Sequence, residues 1–155
     1  MDKAQVLILL GSKSDIDAMA GCGELLNEFD VKYTQEITSA HRQPTATIAL
    51  VKKAEGDGMK IIIAAAGMAA HLPGTVASHT TLPVIGVPLA GSALNGVDAL
   101  YSIVQMPAGV PVATMAIGSH GARNAALLAI EILALSDNGL KTKLMEFRRQ
   151  MAEGN

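Results

Sequence analysis

Aromatic residues and cysteine are both scarce in this chain of 155 residues. Aromatic side chains make up 3% of it, none is tryptophan, and Cys22 is the only cysteine. A single cysteine excludes an internal disulfide and a zinc site built from cysteines, and it is typical of proteins in a reducing compartment. Few aromatic rings are available to stack on a flavin. The core must therefore consist mainly of Ala, Val, Ile, Leu and Met.

Charge of one sign and long hydrophobic runs are also lacking. The formal net charge is −2, which argues against a nucleic-acid or membrane-surface partner. No run approaches the roughly 20 apolar residues of a membrane span, and the run after Gln5 is too short for a signal peptide. No HExxH or other metal-ligand spacing occurs. We therefore expect one cytoplasmic catalytic domain over residues 1–155, with no metal or organic cofactor.

Continuous apolar runs alternate with helical stretches along the chain. Unbroken apolar strands are typical of a parallel sheet that is covered by helices on both faces, so we predict an α/β fold of about five strands. If the strand order is 2-1-3-4-5, the first and third strand-to-helix loops flank the position where ligands bind. The predicted strands are 6–10, 31–37, 60–66, 83–87 and 110–117, and the predicted helices are 15–28, 44–56, 73–80, 95–104, 121–135 and 140–152.

The first two of these loops carry polar side chains. Ser12, Ser14 and Asp15 stand at a helix N-terminus, where backbone N–H groups and hydroxyls favour an anion and a carboxylate could accept hydrogen bonds from a ribose diol. Plain N-capping by Ser14 or Asp15 would explain this pattern equally well. In the second loop, Arg42 could bind a phosphate, although a solvated arginine is the simpler interpretation.

The third loop, GMAAHLPG (67–74), combines small residues with one histidine. Gly67 and the alanines allow a ligand to approach the backbone closely. His71 precedes a helix N-terminus whose positive potential favours the neutral imidazole, which can both give and take a proton. The alternative is a core histidine bonded to a backbone carbonyl. We expect His79 to be structural and His120 to lie in a surface turn.

Two helices indicate self-association. Helix 121–135 is apolar nearly all round, and the last helix carries a narrow stripe of Leu140, Leu144, Phe147 and Met151 that suits a partner helix. Each could be ordinary core. Together they predict a homo-oligomer in which the C-terminal helix, about 140–152, packs on neighbouring subunits.

Several motifs occur in a fixed order: GSKSD (11–15), SAHR (39–42), AAHLPG (69–74), ALNGVDALYSIVQMPAGVPVATMAIG (93–118) and NAALLA (124–129). Through them, over roughly residues 5–137, the chain closely resembles the class I N5-carboxyaminoimidazole ribonucleotide mutases of bacterial purine biosynthesis. The resemblance implies a three-layer, flavodoxin-like fold assembled as an octamer, with active sites where subunits meet. It also implies conversion of N5-carboxyaminoimidazole ribonucleotide to 4-carboxy-5-aminoimidazole ribonucleotide without ATP, metal or cofactor.

The resemblance further implies roles for individual residues. His71 matches the catalytic histidine, which would protonate the carbamate nitrogen as carbon dioxide leaves and later deprotonate the recarboxylated carbon. Arg42 is placed for the phosphate. The expected substrate-binding residues are Ser12, Ser14, Asp15, Ser39, His41, Arg42, Gly67, Ala70 and Leu72.

Some positions depart from the family pattern. Met68 replaces the second of two adjacent glycines, residues 119–120 are Ser-His where Lys-Ala is usual, and residues 90–92 also differ. Two other functions stay open. One is direct carboxylation of aminoimidazole ribonucleotide, as in class II relatives, although those carry a Ser-Asn pair in the third loop. The other is a non-catalytic nucleotide-binding module, for which His71 would be dispensable.

Overall fold

The computed structural model describes residues 3–154, which form a five-stranded parallel sheet. The strand order is β2-β1-β3-β4-β5, as predicted. β2 therefore lies on one side of β1, and β3, β4 and β5 lie on the other. The strands are β1 (Val6–Leu10), β2 (Tyr33–Ile37), β3 (Ile61–Gly67), β4 (Val84–Leu89) and β5 (Ala113–Thr114).

Helices cover both faces of the sheet. α1 and α5 pack on one face, where Met19, Cys22 and Ile130 belong to the same buried cluster. α2, α3 and α4 cover the other face, where Val51, Val76 and Ile103 are buried together. The helices are α1 (Ile16–Glu28), α2 (Pro44–Asp57), α3 (Leu72–Ala77), α4 (Val97–Val104), α5 (Ser119–Ala134) and α6 (Asn138–Ala152), and a 3₁₀ turn, Lys13–Asp15, precedes α1. The predicted three-layer αβα fold is confirmed.

Burial on both faces explains the unbroken apolar strands. Successive side chains of a strand point to opposite faces, so Ile61 and Ile63 join the α1–α5 cluster while Ile62 joins the other. Every residue of β1 and β4 is likewise buried. The edge strand β2 differs, because its last four residues, Thr34–Ile37, are exposed.

The predicted fifth strand, 110–117, was too long. Only Ala113 and Thr114 pair with β4. Prolines explain the short pairing: Pro111 has no N–H to donate, and neither has Pro88 on the facing strand. Beyond Thr114 the chain follows β4 through isolated bonds, from Met115 N–H to the Gly86 carbonyl (2.9 Å) and from Gly118 N–H to the Pro88 carbonyl (2.9 Å).

For the C-terminal stripe, the structure favours the alternative of ordinary core for most of its residues. Leu140 is buried, and Leu144 and Phe147 pack against the chain's own core. The Phe147 ring meets the Phe29 ring edge-on, at 5.5 Å between centroids. Only Met151 of the stripe is largely exposed, at 55%. The stripe therefore attaches α6 to its own chain, and contact of α6 with neighbouring subunits stays a prediction.

The nearly all-apolar helix α5 buries one side rather than its whole surface. Its alanines, such as Ala122, Ala126 and Ala129, are fully buried, whereas Leu135 just past its end is 88% exposed. None of the helices in residues 3–154 is long and apolar enough to cross a membrane.

Candidate active site

Three loops at the carboxyl ends of β1, β2 and β3 surround a cavity of about 460 Å³. All ten residues proposed from sequence line it: Ser12, Ser14, Asp15, Ser39, His41, Arg42, Gly67, Ala70, His71 and Leu72. Parallel strands end at the same edge of a sheet, which explains why residues from three separate motifs meet here. The structure adds the small or apolar wall residues Gly11, Ala40, Ala66, Met68, Ala69 and Gly91.

Backbone hydrogen bonds tie the loops to one another. The Gly11 N–H donates to the Ala65 carbonyl at 3.0 Å, which links the first loop to β3. The Thr38 N–H donates to the Leu10 carbonyl at 2.9 Å, which links the second loop to β1. The floor of the cavity is thus continuous with the central sheet.

In the first loop, Ser12 caps the short 3₁₀ turn. Its Oγ accepts hydrogen bonds from the Ser14 N–H (3.3 Å) and the Ser14 hydroxyl (3.0 Å). The capping residue is therefore Ser12 and not Ser14 or Asp15, the two residues expected to cap in the alternative interpretation; Asp15 makes no side-chain cap bond at the start of α1. The Ser14 hydroxyl also lies 3.4 Å from Asp15 Oδ1, so the three side chains form one hydrogen-bonded group at the cavity.

Asp15 is the acidic group of the cavity. Partial burial raises its pKa, and hydrogen bonds from the Ser12 and Gly11 backbone and the Ser14 hydroxyl counter that rise only in part. The carboxylate lies close to Gly11, where an added Cβ would come within 3.5 Å of Asp15 Oδ2. Asp15 is thus a hydrogen-bonding group whose charge is more easily neutralised than that of a surface aspartate.

The second loop presents His41 and Arg42 to the cavity. It is a tight turn in which Ser39 Oγ accepts the Arg42 N–H (3.3 Å) and the Ser39 carbonyl accepts the Gln43 N–H (2.7 Å). Both side chains are exposed, and within residues 3–154 the Arg42 guanidinium forms no ion pair. It is therefore available to an anion.

In the third loop, His71 is exposed at the N-cap position of α3 and makes no side-chain cap bond. The alternative of a buried core histidine is therefore wrong. α3 has only six residues, so its dipole is weaker than the predicted helix 73–80 implied. The ring of His71 lies 4.8 Å from that of His41, centroid to centroid, at an interplanar angle of 32°.

This imidazole pair is the feature that sequence reasoning missed. Both histidines had been selected, but only His71 was considered as an acid or base. A signal was present, because each follows a strand at its carboxyl end, β2 for His41 and β3 for His71, and only β1 separates these two strands in the sheet. The contact itself depends on how the two loops turn, which neither motif encodes.

Small residues in the third loop allow the cavity wall to pack closely on the end of β4. At Gly67 an added Cβ would lie 3.1 Å from the Leu89 carbonyl oxygen, so a larger side chain would push the ends of β3 and β4 apart. Met68 has a positive φ of 55° and is 61% exposed at the cavity wall. Its backbone is therefore in a conformation that favours glycine.

The other two histidines lie outside the cavity. His79 Nδ1 is 2.9 Å from the Thr75 carbonyl oxygen, just after α3, which is the structural role predicted for it. His120 is exposed, as predicted, but lies in the first turn of α5 rather than in a loop turn. No group of three or more His, Cys, Asp or Glu side chains that could hold a metal ion occurs in residues 3–154.

Comparisons with known proteins agree with this geometry. A family model described as AIR carboxylase matches residues 5–154. The N5-carboxyaminoimidazole ribonucleotide mutase of Haemophilus influenzae is 52% identical over 94% of this chain and 88% of its own length. The mutase of the same name from Saccharolobus solfataricus is 52% identical over 95% of this chain and 92% of its own.

Solved structures match as well. The crystal structure of PurE from Treponema denticola superimposes with a TM-score of 0.88 at 29% identity, covering 96% of this chain and 92% of that one. The resemblance found in the loop motifs is thereby confirmed, and so is the flavodoxin-like fold. The chain belongs to the AIR carboxylase family.

Proposed function

We propose that this protein is a mutase that converts N5-carboxyaminoimidazole ribonucleotide to 4-carboxy-5-aminoimidazole ribonucleotide. The observation that carries the proposal is the His41–His71 pair in a cavity that combines small apolar residues with serines and a free arginine. Relatives about 50% identical over nearly the whole chain bear the name of this enzyme, which supports the choice of substrate.

The polar rim of the cavity suits a ribonucleotide. Arg42 supplies a guanidinium without an ion-pair partner in the described chain, and such a group binds a phosphate through charge-assisted hydrogen bonds. Ser12 and Ser39 add hydroxyls. Asp15 accepts hydrogen bonds from the ribose diol in this proposal, and it lines the same cavity as the two serines.

The reaction moves a carboxyl group and conserves protons. The bond between the exocyclic nitrogen and the carboxyl carbon breaks, carbon dioxide is released, and the nitrogen takes up one proton. The ring carbon then attacks the carbon dioxide, a carbon–carbon bond forms, and the ring carbon gives up its proton. One imidazole that first donates and then accepts is sufficient for both transfers.

The histidine pair is assigned to these proton transfers. The resemblance attributes the role to His71, and the structure puts a second imidazole, His41, against it. Both rings are exposed to the cavity rather than bonded into the core. In this proposal one ring exchanges protons with the substrate while the other orients it, so loss of either ring slows the reaction.

The apolar wall retains the intermediate. Ala66, Gly67 and Ala70 line the cavity and offer no hydrogen bonds from their side chains. Carbon dioxide is small and uncharged, so a dry pocket holds it next to the ring carbon and excludes competing water. This wall accounts for transfer without ATP or added bicarbonate.

A paired assay without ATP or metal tests the proposal. One reaction contains N5-carboxyaminoimidazole ribonucleotide and the other aminoimidazole ribonucleotide with bicarbonate. We expect rapid product formation from the first only, with a loss of about 10²–10⁴-fold in His71→Asn or His41→Asn. His120→Asn, an exposed histidine outside the cavity, is the matched control.

The other outcomes select the rival functions. Product mainly from aminoimidazole ribonucleotide and bicarbonate would identify a direct carboxylase. Tight binding of the ribonucleotide with no turnover in either reaction would identify a nucleotide-binding module. Full activity in both histidine variants would remove the imidazole pair from the mechanism.

Assembly is part of the same proposal: we take the protein to be a cytoplasmic homo-oligomer, an octamer if it follows the resemblance. Val97, Tyr101 and Val104 lie on one side of α4 at helical spacing and are 43%, 64% and 48% exposed, with Leu94 just before the helix at 62%. Such an apolar stripe suits a second copy of the chain. Light scattering should give a multiple of the chain mass that decreases in Tyr101→Lys, and a monomeric wild type would overturn the assembly.

A further inference from the structure

Thr38 and Thr47 form a buried polar contact beside the candidate active site. Their side chains are 1% and 0% exposed, and among the described residues they are the buried ones with polar side chains. Thr38 directly follows β2, at the start of the second loop, and Thr47 lies in the first turn of α2. Their Oγ1 atoms are 2.7 Å apart. The loop that carries His41 and Arg42 runs between them.

The direction of this hydrogen bond follows from the number of protons. The Thr47 hydroxyl donates its only proton to the Gln43 carbonyl, at 3.1 Å. Thr47 Oγ1 can therefore only accept from Thr38, whose hydroxyl must be the donor. The result is a chain of two hydrogen bonds, from Thr38 to Thr47 and from Thr47 to Gln43.

These two hydrogen bonds join the start of the second loop to its end. Thr38 is also held by its backbone N–H, which donates to the Leu10 carbonyl of β1 (2.9 Å). Gln43 is the N-cap residue of α2, and its own side chain makes no cap bond. The hydroxyl chain thus joins the central sheet, the start of α2 and the last residue of the loop.

We infer that Thr38 and Thr47 are positioning residues, which hold the second loop so that His41 lies against His71 and Arg42 faces the cavity. The inference rests on the proposed function for its kinetic consequences, but not for its structural ones. The edge strand β2 is largely exposed, and within the loop itself Ala40 is the apolar residue that packs into the core. The buried hydroxyls therefore add a constraint that packing of β2 does not supply.

The two threonines are not equivalent. Thr47→Val removes the acceptor of the Thr38 hydroxyl and leaves a buried O–H group without a partner, which is costly. Thr38→Val leaves the bond from Thr47 to Gln43 in place. In the double Val variant no orphaned hydroxyl remains, so it should be more stable than Thr47→Val alone although it carries one more substitution.

The kinetic test compares Thr47→Val with Thr47→Ser and with a matched control. Thr142 donates its hydroxyl to the Asn138 carbonyl, at 3.0 Å and with the same four-residue spacing, on α6 outside the cavity. We expect kcat/KM to decrease at least about 10-fold in Thr47→Val, because a small misplacement of catalytic groups is expensive. Thr47→Ser should recover most of it, and Thr142→Val should match the wild type.

A purely structural role would give another result. Thr47→Val would then unfold at a lower denaturant concentration, yet kcat and KM measured well below that transition would equal those of the wild type. The variant is assayed only under conditions where circular dichroism shows it folded. Kinetic constants within twofold of the wild type would overturn the inference.

A second readout does not need turnover. Selective ¹³C labelling of the four histidine rings gives NMR signals in which His79 and His120 serve as internal references. Thr47→Val should shift the His41 and His71 signals and leave the other two unchanged. If the wild type lacks mutase activity but these shifts occur, the proposed function fails while the positioning role stands. Unchanged His41 signals would refute the positioning role.

Discussion

The second and third loops each bring a histidine to the same cavity, but they are supported differently. His71 follows β3, whose residues Ile61–Ala66 are all buried between two helical layers. His41 follows the edge strand β2, most of which is exposed. The buried strand β3 supports the third loop, whereas the second follows an exposed strand and depends more on buried hydroxyls and a tight turn. Two residues with the same chemistry can therefore be placed by different forces.

The largest expected effect tests whether the two loops act as one unit. If His41 and His71 share the proton transfers, the double variant His41→Asn/His71→Asn should be no slower than the worse single variant, each about 10²–10⁴-fold below wild type. The measurement is kcat for the proposed mutase reaction. Losses that multiply would indicate two independent roles instead.

Substitution of one isoleucine in each strand compares how much β3 and β2 contribute to the stability of the fold. Ile63 in β3 is fully buried and Ile37 in β2 is 39% exposed. Ile63→Ala should lower the free energy of unfolding by about 2–5 kcal/mol through lost burial and cavity formation. Ile37→Ala should cost less than about 1 kcal/mol. Urea unfolding at one protein concentration measures both.

A large loss of stability in Ile37→Ala would contradict the view that β2 is exposed. It would mean that β2 is covered in solution by another subunit, because its own chain leaves Ile37 exposed. The cost should then depend on protein concentration, which a monomer would not show.

Arg42 tests the binding function of the second loop. Arg42→Met should raise KM about 10–100-fold with a smaller change in kcat, since charge-assisted hydrogen bonds to the phosphate are worth about 1.5–3 kcal/mol. Arg148→Met removes an exposed guanidinium paired with Glu131 on the opposite part of the fold, and should leave KM unchanged. An equal rise of KM in both variants would point to general electrostatics rather than a phosphate contact.

Met68 tests the wall of the third loop. Met68 has a positive φ, which costs about 1–2 kcal/mol for a residue with a side chain, and Met68→Gly removes that strain. Glycine is more flexible in the unfolded chain, however, and this destabilises the folded state by about 0.5–1 kcal/mol. We expect stability to change by less than about 1 kcal/mol and activity to stay within about tenfold. Complete loss of turnover would show that the methionine side chain is part of the pocket.

The smallest expected effect concerns a partly buried link between the helices that follow the two loops. Glu55 on α2 accepts hydrogen bonds from the Thr80 hydroxyl (2.6 Å) and the Thr81 N–H (3.0 Å) beyond α3. These bonds, that of Thr80 foremost, lower the pKa of Glu55 from 4.5 to about 2. Its stabilisation is therefore complete above pH 4.5 and is lost as the pH falls toward 2.

Glu55→Gln provides the measurement for this link. The variant should be slightly less stable than the wild type at pH 7, and the difference should shrink below pH 4.5 and vanish near pH 2. Lys53→Met, which removes an exposed ion pair with Asp57 on the same helix, is the control. A difference that stays constant with pH would show that the Glu55 carboxylate adds nothing in its charged form.

Much of the site was predictable because it depends on local signals. Apolar runs mark β1, β3 and β4, and polar residues directly after them mark the binding edge of a parallel sheet. What the sequence left open or missed concerns contacts between elements. The stripe on α6 suited a partner helix and ordinary core equally well, and only the structure shows that its Phe147 packs on Phe29. The length of β5 depended on Pro88 in β4 and on Pro111 just before β5, which are distant in sequence.

From the order and spacing of its residues alone, the chain specifies a parallel α/β sheet, the edge at which ligands bind and the family to which it belongs. Those features follow from periodicity and from motifs a few residues long. The contact of His41 with His71, the hydroxyl chain from Thr38 to Gln43 and the attachment of α6 to its own core came only from the folded structure. Each joins residues from different elements, and the path of the backbone between them sets distances that no short stretch of sequence contains.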